Sequence, residues 1–209
     1  LGGFRHYEQS LRVCDRLAKG GKGLNLTYEV RDGILHHSGS GKAQTLEGCI
    51  LKYADRIAYI NHDIDDAVRG KVLRVEQIPK ELLERLGDTH RQRINTMILG
   101  ILEASMGQDH IAMVPQVEQD MMALRAFLFE SVYTHEQVKL REEEKADHVI
   151  ITLYEHFMKH PEKLPEENRR TIEEEGVERA VCDHIAGMTD RYAINLYLEL
   201  CVPKCMVLT

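Results

Sequence analysis

Leu51-Lys52-Tyr53-Ala54-Asp55-Arg56-Ile57-Ala58-Tyr59-Ile60-Asn61-His62-Asp63-Ile64-Asp65-Asp66 is the stretch whose reading decides the fold. It reads as one amphipathic helix. Apolar Ile50, Ile57, Ile60, Ile64 and Val68 fall on one side at helical spacing. Asp55, Tyr59 and Asp63 recur four residues apart and stack along another face, with His62 and Asp66 at its edge. Carboxylates crowded beside a phenol and an imidazole repel one another unless a cation or polar ligand sits among them. Such a face is either a solvated helix surface or the wall of a site.

Outward from this helix, Thr45 is the expected N-cap, Leu46 to Arg69 the helix, and Gly70 its stop. The periodicity predicts further helices over Tyr7 to Leu17, Thr27 to Leu35, Pro79 to Leu86, Thr89 to Ser105, Gln116 to Tyr133 and Glu142 to Lys159. An acidic helix to Glu175 follows Leu164-Pro165, and Gly176 separates it from a last helix over Val177 to Leu200. Gly20-Gly21-Lys22-Gly23 and His36-His37-Ser38-Gly39-Ser40-Gly41 read as loops. Ala112-Met113-Val114 is the best strand signal and is too short to carry a sheet. The fold class expected is all-α, a multi-helix bundle with residues 1–140 as a core and residues 141–209 as a helical C-terminal extension.

The bulk properties set limits. With 209 residues and 43% hydrophobic content, the chain can bury a sizeable core. No apolar run approaches the length of a membrane span, and no signal peptide is visible. A net charge of -7 argues against general nucleic-acid binding but leaves room for a small anion held by local Arg or Lys residues. Cys14, Cys49, Cys182, Cys201 and Cys205 are odd in number and dispersed, as reduced thiols of a cytoplasmic protein would be. Cys201 and Cys205 have no His or second Cys pair beside them, which argues against zinc. The chain opens Leu1-Gly2-Gly3 and enters a helical pattern almost at once, so it is expected to be a piece of a longer protein.

Candidate chemistry is confined to a few places. Asp55 beside Tyr59 is costly on an inward face unless it is paired or binds metal, and a lone carboxylate is only one ligand. His62-Asp63 is an adjacent pair whose side chains point about 100° apart on a helix, so it does not suit a single metal. Asp63 is instead a hydrogen-bond acceptor for a ligand hydroxyl. His6, in Phe4-Arg5-His6-Tyr7-Glu8-Gln9-Ser10, has the chemistry of a general acid or an electrostatic clamp. Arg125, Phe129 and Tyr133 share a stripe: either an aromatic core stripe with an exposed Arg, or a phosphate fork beside a stacking phenol. No phosphate-cradling glycine loop, zinc-protease helix or nucleophile elbow is present.

Taken together, several segments resemble the dNTP triphosphohydrolases, the dGTPase-like branch of the HD-domain phosphohydrolases. They are Gly3-Phe4-Arg5-His6-Tyr7-Glu8-Gln9-Ser10-Leu11-Arg12, the run from Gly23 to Ile34, the run from Ala54 to Ala67, Phe127-Leu128-Phe129-Glu130-Ser131-Val132-Tyr133, and Gly187-Met188-Thr189-Asp190-Arg191-Tyr192-Ala193. They occur in the family's order and span nearly the whole chain.

The resemblance implies an all-α fold and a divalent metal (Mg, Mn or similar) held by an early His, an adjacent His-Asp pair and a later Asp. It implies that Asp55 is that later Asp and that His6 is the catalytic histidine that contacts the triphosphate. Tyr59 and Asp63 would hold the deoxyribose. Arg125, Tyr133 and His135 would lie along the nucleotide, and Arg56 would reach the phosphates. The remaining metal ligands belong upstream of Phe4. The parent protein is therefore expected to be the enzyme, hydrolysing a dNTP to deoxynucleoside and tripolyphosphate, with this piece alone inactive. A homo-oligomer is expected by the same resemblance. The alternatives are a helical regulatory or oligomerisation module that binds nucleotide without turnover, and an HD-type phosphohydrolase acting on another nucleotide.

Overall fold

The computed structural model describes residues 3–133 and 136–203, with side chains omitted at 133 and 136–141. These residues form helices and connecting turns, with no strand among them. Residues 4–15 and 24–133 make one compact unit, and residues 3, 16–23 and 136–203 make another.

The first unit is built around α4, Leu46–Arg69. Thr45 Oγ1 accepts from the Gly48 N–H at 3.1 Å and supplies the N-cap. Gly70 closes the helix through its N–H to Asp66 and Val68. Ile57, Ile60, Ile64 and Ala67 of α4 enter the core, where they meet Leu82 and Leu86 of α5 (Lys80–Leu86), Met97 of α6 (His90–Ser105), and Met121, Leu124 and Leu128 of α7 (Pro115–Leu128). The apolar side of α4 therefore packs as its period requires from Ile57 onward. Ile50, placed on the same side by sequence, is 44% exposed. It lies two turns before the core begins, where α4 is instead crossed by α3, Tyr28–His36.

That crossing is close because glycine faces glycine. A Cβ on Gly48 would come within 3.2 Å of the Gly33 Cα and 2.6 Å of the Ala43 Cβ. No larger residue allows α3 to approach α4 this way. The crossing fixes where the residues after α3 emerge, beside the N-terminal half of α4.

Helix boundaries depart from the sequence pattern in identifiable places. The predicted helix from Tyr7 to Leu17 is α-helical only over α1, His6–Arg12, and continues as a π-helical turn, Val13–Leu17, and a short α2, Ala18–Gly21. Likewise α7 turns π-helical over Phe129–Tyr133. A side-chain period of 3.6 does not distinguish these turns from α-helix. His36, assigned to a loop by its neighbours, is the last residue of α3.

The second unit contains α8 (Glu136–Lys159), α9 (Arg169–Glu175), α10 (Val177–Ala186) and α11 (Asp190–Cys201). The single helix expected over Val177 to Leu200 is thus two. Gly187 ends α10, and Thr189 Oγ1 accepts from the Tyr192 N–H to start α11. A stop residue followed by an N-cap two positions later outweighs the continuous apolar period. Phe157, Leu164, Ala180 and Val181 form this unit's core.

Two stability predictions follow from buried polar groups. In the first unit, the buried Asp120 carboxylate accepts from Arg85 Nε and Nη2 at 2.8 Å each. Arg85→Met leaves that carboxylate with Gln116 as its side-chain donor, so the urea unfolding midpoint should fall. In the second unit, the His184 ring stands edge-on to Phe157 at 4.8 Å, and burial pushes its pKa down. Burial, Lys163 and His160 push His156 down as well. The unfolded imidazoles, at their ordinary value of about 6.5, take up protons first as pH falls. The stabilisation is therefore complete above about pH 6.5 and is lost as pH drops through the lower folded values. The melting temperature at pH 5.5 should lie below that at pH 7.5, and His184→Phe should narrow the gap.

Candidate functional site

One face of α4 presents Lys52, Asp55, Arg56 and Tyr59, spaced by three or four residues so that all four line a cavity of about 540 Å³ in the first unit. The other walls are His6 from the start of α1, His37, Ser38 and Gly39 from the turn after α3, and Met122 and Arg125 from α7. Arg125 is aimed by its neighbours, because Leu124 and Leu128 are buried and hold α7 in the core. Its Nε donates to the Tyr59 hydroxyl, which leaves that hydroxyl's own proton for another acceptor. Opposite, His6 Nε2 and Ser38 Oγ lie 2.6 Å apart, and the His37 ring stands edge-on to His6 at 5.0 Å.

The electrostatics of the cavity invert those of the chain. Lys52, Arg56 and Arg125 stand against the single carboxylate of Asp55, a local excess of two positive charges with the histidines neutral. The whole chain carries -7. A concave, cationic pocket on an acidic protein selects a small polyanion over an extended one.

The sequence-derived candidates separate accordingly. The structure brings His6, Asp55, Arg56, Tyr59 and Arg125 to the same cavity. Asp63 lies on α4 one turn beyond Tyr59, partly buried, and is not among the lining residues. The Tyr133 side chain and all of His135 lie outside the described residues. Phe129 is 63% exposed, so the stripe it shares with Arg125 is not an aromatic core stripe. Sequence reasoning missed Lys52, Met122 and the turn residues His37, Ser38 and Gly39. The spacing of Lys52 from Asp55 already put both on one face. The turn reaches His6 only through the packing of α1 and α3.

The donor chemistry for a metal is incomplete. Among the described residues, no group of three or more His, Cys, Asp or Glu side chains could hold a metal ion. Asp55 offers one hard oxygen ligand, and His6 is engaged with Ser38. The described residues do not by themselves make a metal centre. Among the described residues, no helix is long and apolar enough to cross a membrane.

A family model described as the phosphohydrolase-associated domain matches residues 111–199. The deoxyguanosinetriphosphate triphosphohydrolase-like protein of Caldanaerobacter subterraneus subsp. tengcongensis is 52% identical over 203 residues, covering 97% of this chain and 60% of that protein. The proteins of the same name from Clostridium tetani and Clostridium perfringens (strain SM101) are 39% and 40% identical, covering 98% and 97% of this chain and 62% of each relative. The chain therefore spans about three fifths of the length of these relatives. Over nearly all of its residues, the chain is similar to these deoxyguanosinetriphosphate triphosphohydrolase-like proteins.

Proposed function

We propose that the full-length protein hydrolyses deoxynucleoside triphosphates to deoxynucleoside and tripolyphosphate, and that the α4 cavity is this chain's share of the site. The observation that carries the reading is the meeting of His6, Asp55, Arg56, Tyr59 and Arg125, from three helices, on one cationic cavity. The relatives' name points to the same chemistry.

In this reading Arg56, Arg125 and Lys52 receive the triphosphate and neutralise the charge that builds on the phosphates as the bond to the 5'-oxygen breaks. His6 contacts the phosphate chain and helps orient the attacking water, an imidazole being suited to proton transfer near neutral pH. Tyr59 lies under the sugar and Asp63 accepts from its 3'-hydroxyl. Tyr133 and His135 lie along the nucleotide. Asp55 would supply one oxygen ligand to a divalent cation, whose charge would polarise the phosphate under attack when bound. The isolated chain has no turnover of its own on this account. The protein is a cytoplasmic homo-oligomer.

Incubating the full-length protein with dGTP and Mg or Mn, then separating products by anion exchange, tests the reaction. Tripolyphosphate and deoxyguanosine are expected; pyrophosphate or orthophosphate as the first product contradicts it. The sugar reading has its own test. Tyr59→Ala should cut the preference for dGTP over GTP by about tenfold or more, because a site that packs against the 2'-position loses its steric exclusion. Unchanged preference removes Tyr59 from that role.

A further inference from the structure

We propose that Ser38 is a positioning residue: its hydroxyl holds the His6 imidazole toward the cavity, on a turn that Lys52 clamps to α4. The proposal rests on reading His6 as the residue that meets the phosphate chain.

His6 is the first residue of α1 and is exposed, so its own helix does little to fix its ring. The ring's partners come from the turn after α3. Ser38 Oγ lies 2.6 Å from Nε2, and His37 meets the ring edge-on at 5.0 Å. His37 is itself held, with its Nδ1 2.5 Å from the Ile34 carbonyl.

The turn has little freedom. Gly39 adopts a φ of +75°, and a Cβ there would lie 3.3 Å from the Tyr7 ring. A Cβ on Gly41 would come within 2.4 Å of the His36 ring. Lys52 Nζ donates to the Gly39 carbonyl at 2.8 Å and the Gly41 carbonyl at 3.0 Å. Lys52 stands one turn before Asp55 and Arg56 on the same helix face, so the clamp ties the Ser38 turn to the helix that carries the phosphate-facing groups. A histidine at an exposed helix start thereby acquires a fixed bearing relative to Asp55. Polar side chains that lock a reacting group's orientation act on the rate of the bound complex more than on binding.

The experiment uses the full-length protein with Ser38→Ala and Ser38→Thr. Ser38→Ala should lower kcat for dGTP roughly tenfold while KM stays within about twofold. Ser38→Thr, which keeps the hydroxyl, should restore most of the rate. In parallel, the ring ¹⁵N signals of His6, assigned by their loss in His6→Gln, should move in Ser38→Ala and stay near wild type in Ser38→Thr. The signals of His184 should not move in either. Unmoved His6 signals in Ser38→Ala overturn the proposal, as does a rate loss that Ser38→Thr does not recover. If wild-type protein releases no tripolyphosphate, the functional reading fails, and the ring signals alone decide whether Ser38 positions His6.

Discussion

Asp55→Ala in the full-length protein should lower dGTP turnover by roughly a hundredfold or more and lower bound divalent metal in parallel. The direction of the binding change is the informative part. Among the described residues lining the cavity, Asp55 is the only carboxylate, beside Lys52, Arg56 and Arg125. With no divalent metal added, removing it raises the local positive excess, so affinity for tripolyphosphate should hold or increase while catalysis in the presence of metal is lost. An unfolded or collapsed variant would lose both. Asp55→Asn should behave similarly, since it keeps the shape and removes the charge. Elemental analysis of the purified variant beside its turnover makes the check. Full metal content with intact turnover would remove Asp55 from both assignments.

Arg125→Ala should raise KM for dGTP by about 10- to 100-fold, with a smaller change in kcat. A guanidinium that reaches phosphate contributes binding in ground state and transition state alike. Arg125→Lys should not restore affinity, because an ammonium cannot keep the Nε contact to Tyr59 while a second nitrogen faces the phosphate. That contact also couples the two residues. Combining Arg125→Ala with Tyr59→Phe should be less damaging than the sum of the single changes, by about 0.5–3 kcal/mol in kcat/KM. Strict additivity would mean that the contact between them carries no energy in the bound state.

The parts of this molecule that could be read from sequence are those governed by local period and local punctuation. Ile57, Ile60 and Ile64 announce the buried side of α4, and Thr45, Thr89 and Gly70 mark helix ends where they fall. The stripe of Asp55 and Tyr59 identifies the face that lines the cavity, though Asp63 on the same stripe lies past its end. What the period does not carry is tertiary. The Gly33 and Gly48 contact brings α3 onto α4, and only that crossing takes Ser38 to His6 and Lys52 to the Gly39 carbonyl. Ile50 is apolar and in register yet lies outside the core, two turns before the core residues of α4 begin. Gly187 and Thr189 end one helix and start the next, a break that the continuous apolar pattern across them conceals.

The central claim is that the α4 cavity receives a triphosphate. The direct measurement is a titration of the protein with tripolyphosphate, followed on the ring signals of its histidines. His6 and His37 should shift together with one saturating affinity, His184 and His148 should stay in place, and Arg125→Ala should weaken the response about tenfold or more. Histidines of the second unit shifting while His6 and His37 do not, or no shift at millimolar tripolyphosphate, would contradict it.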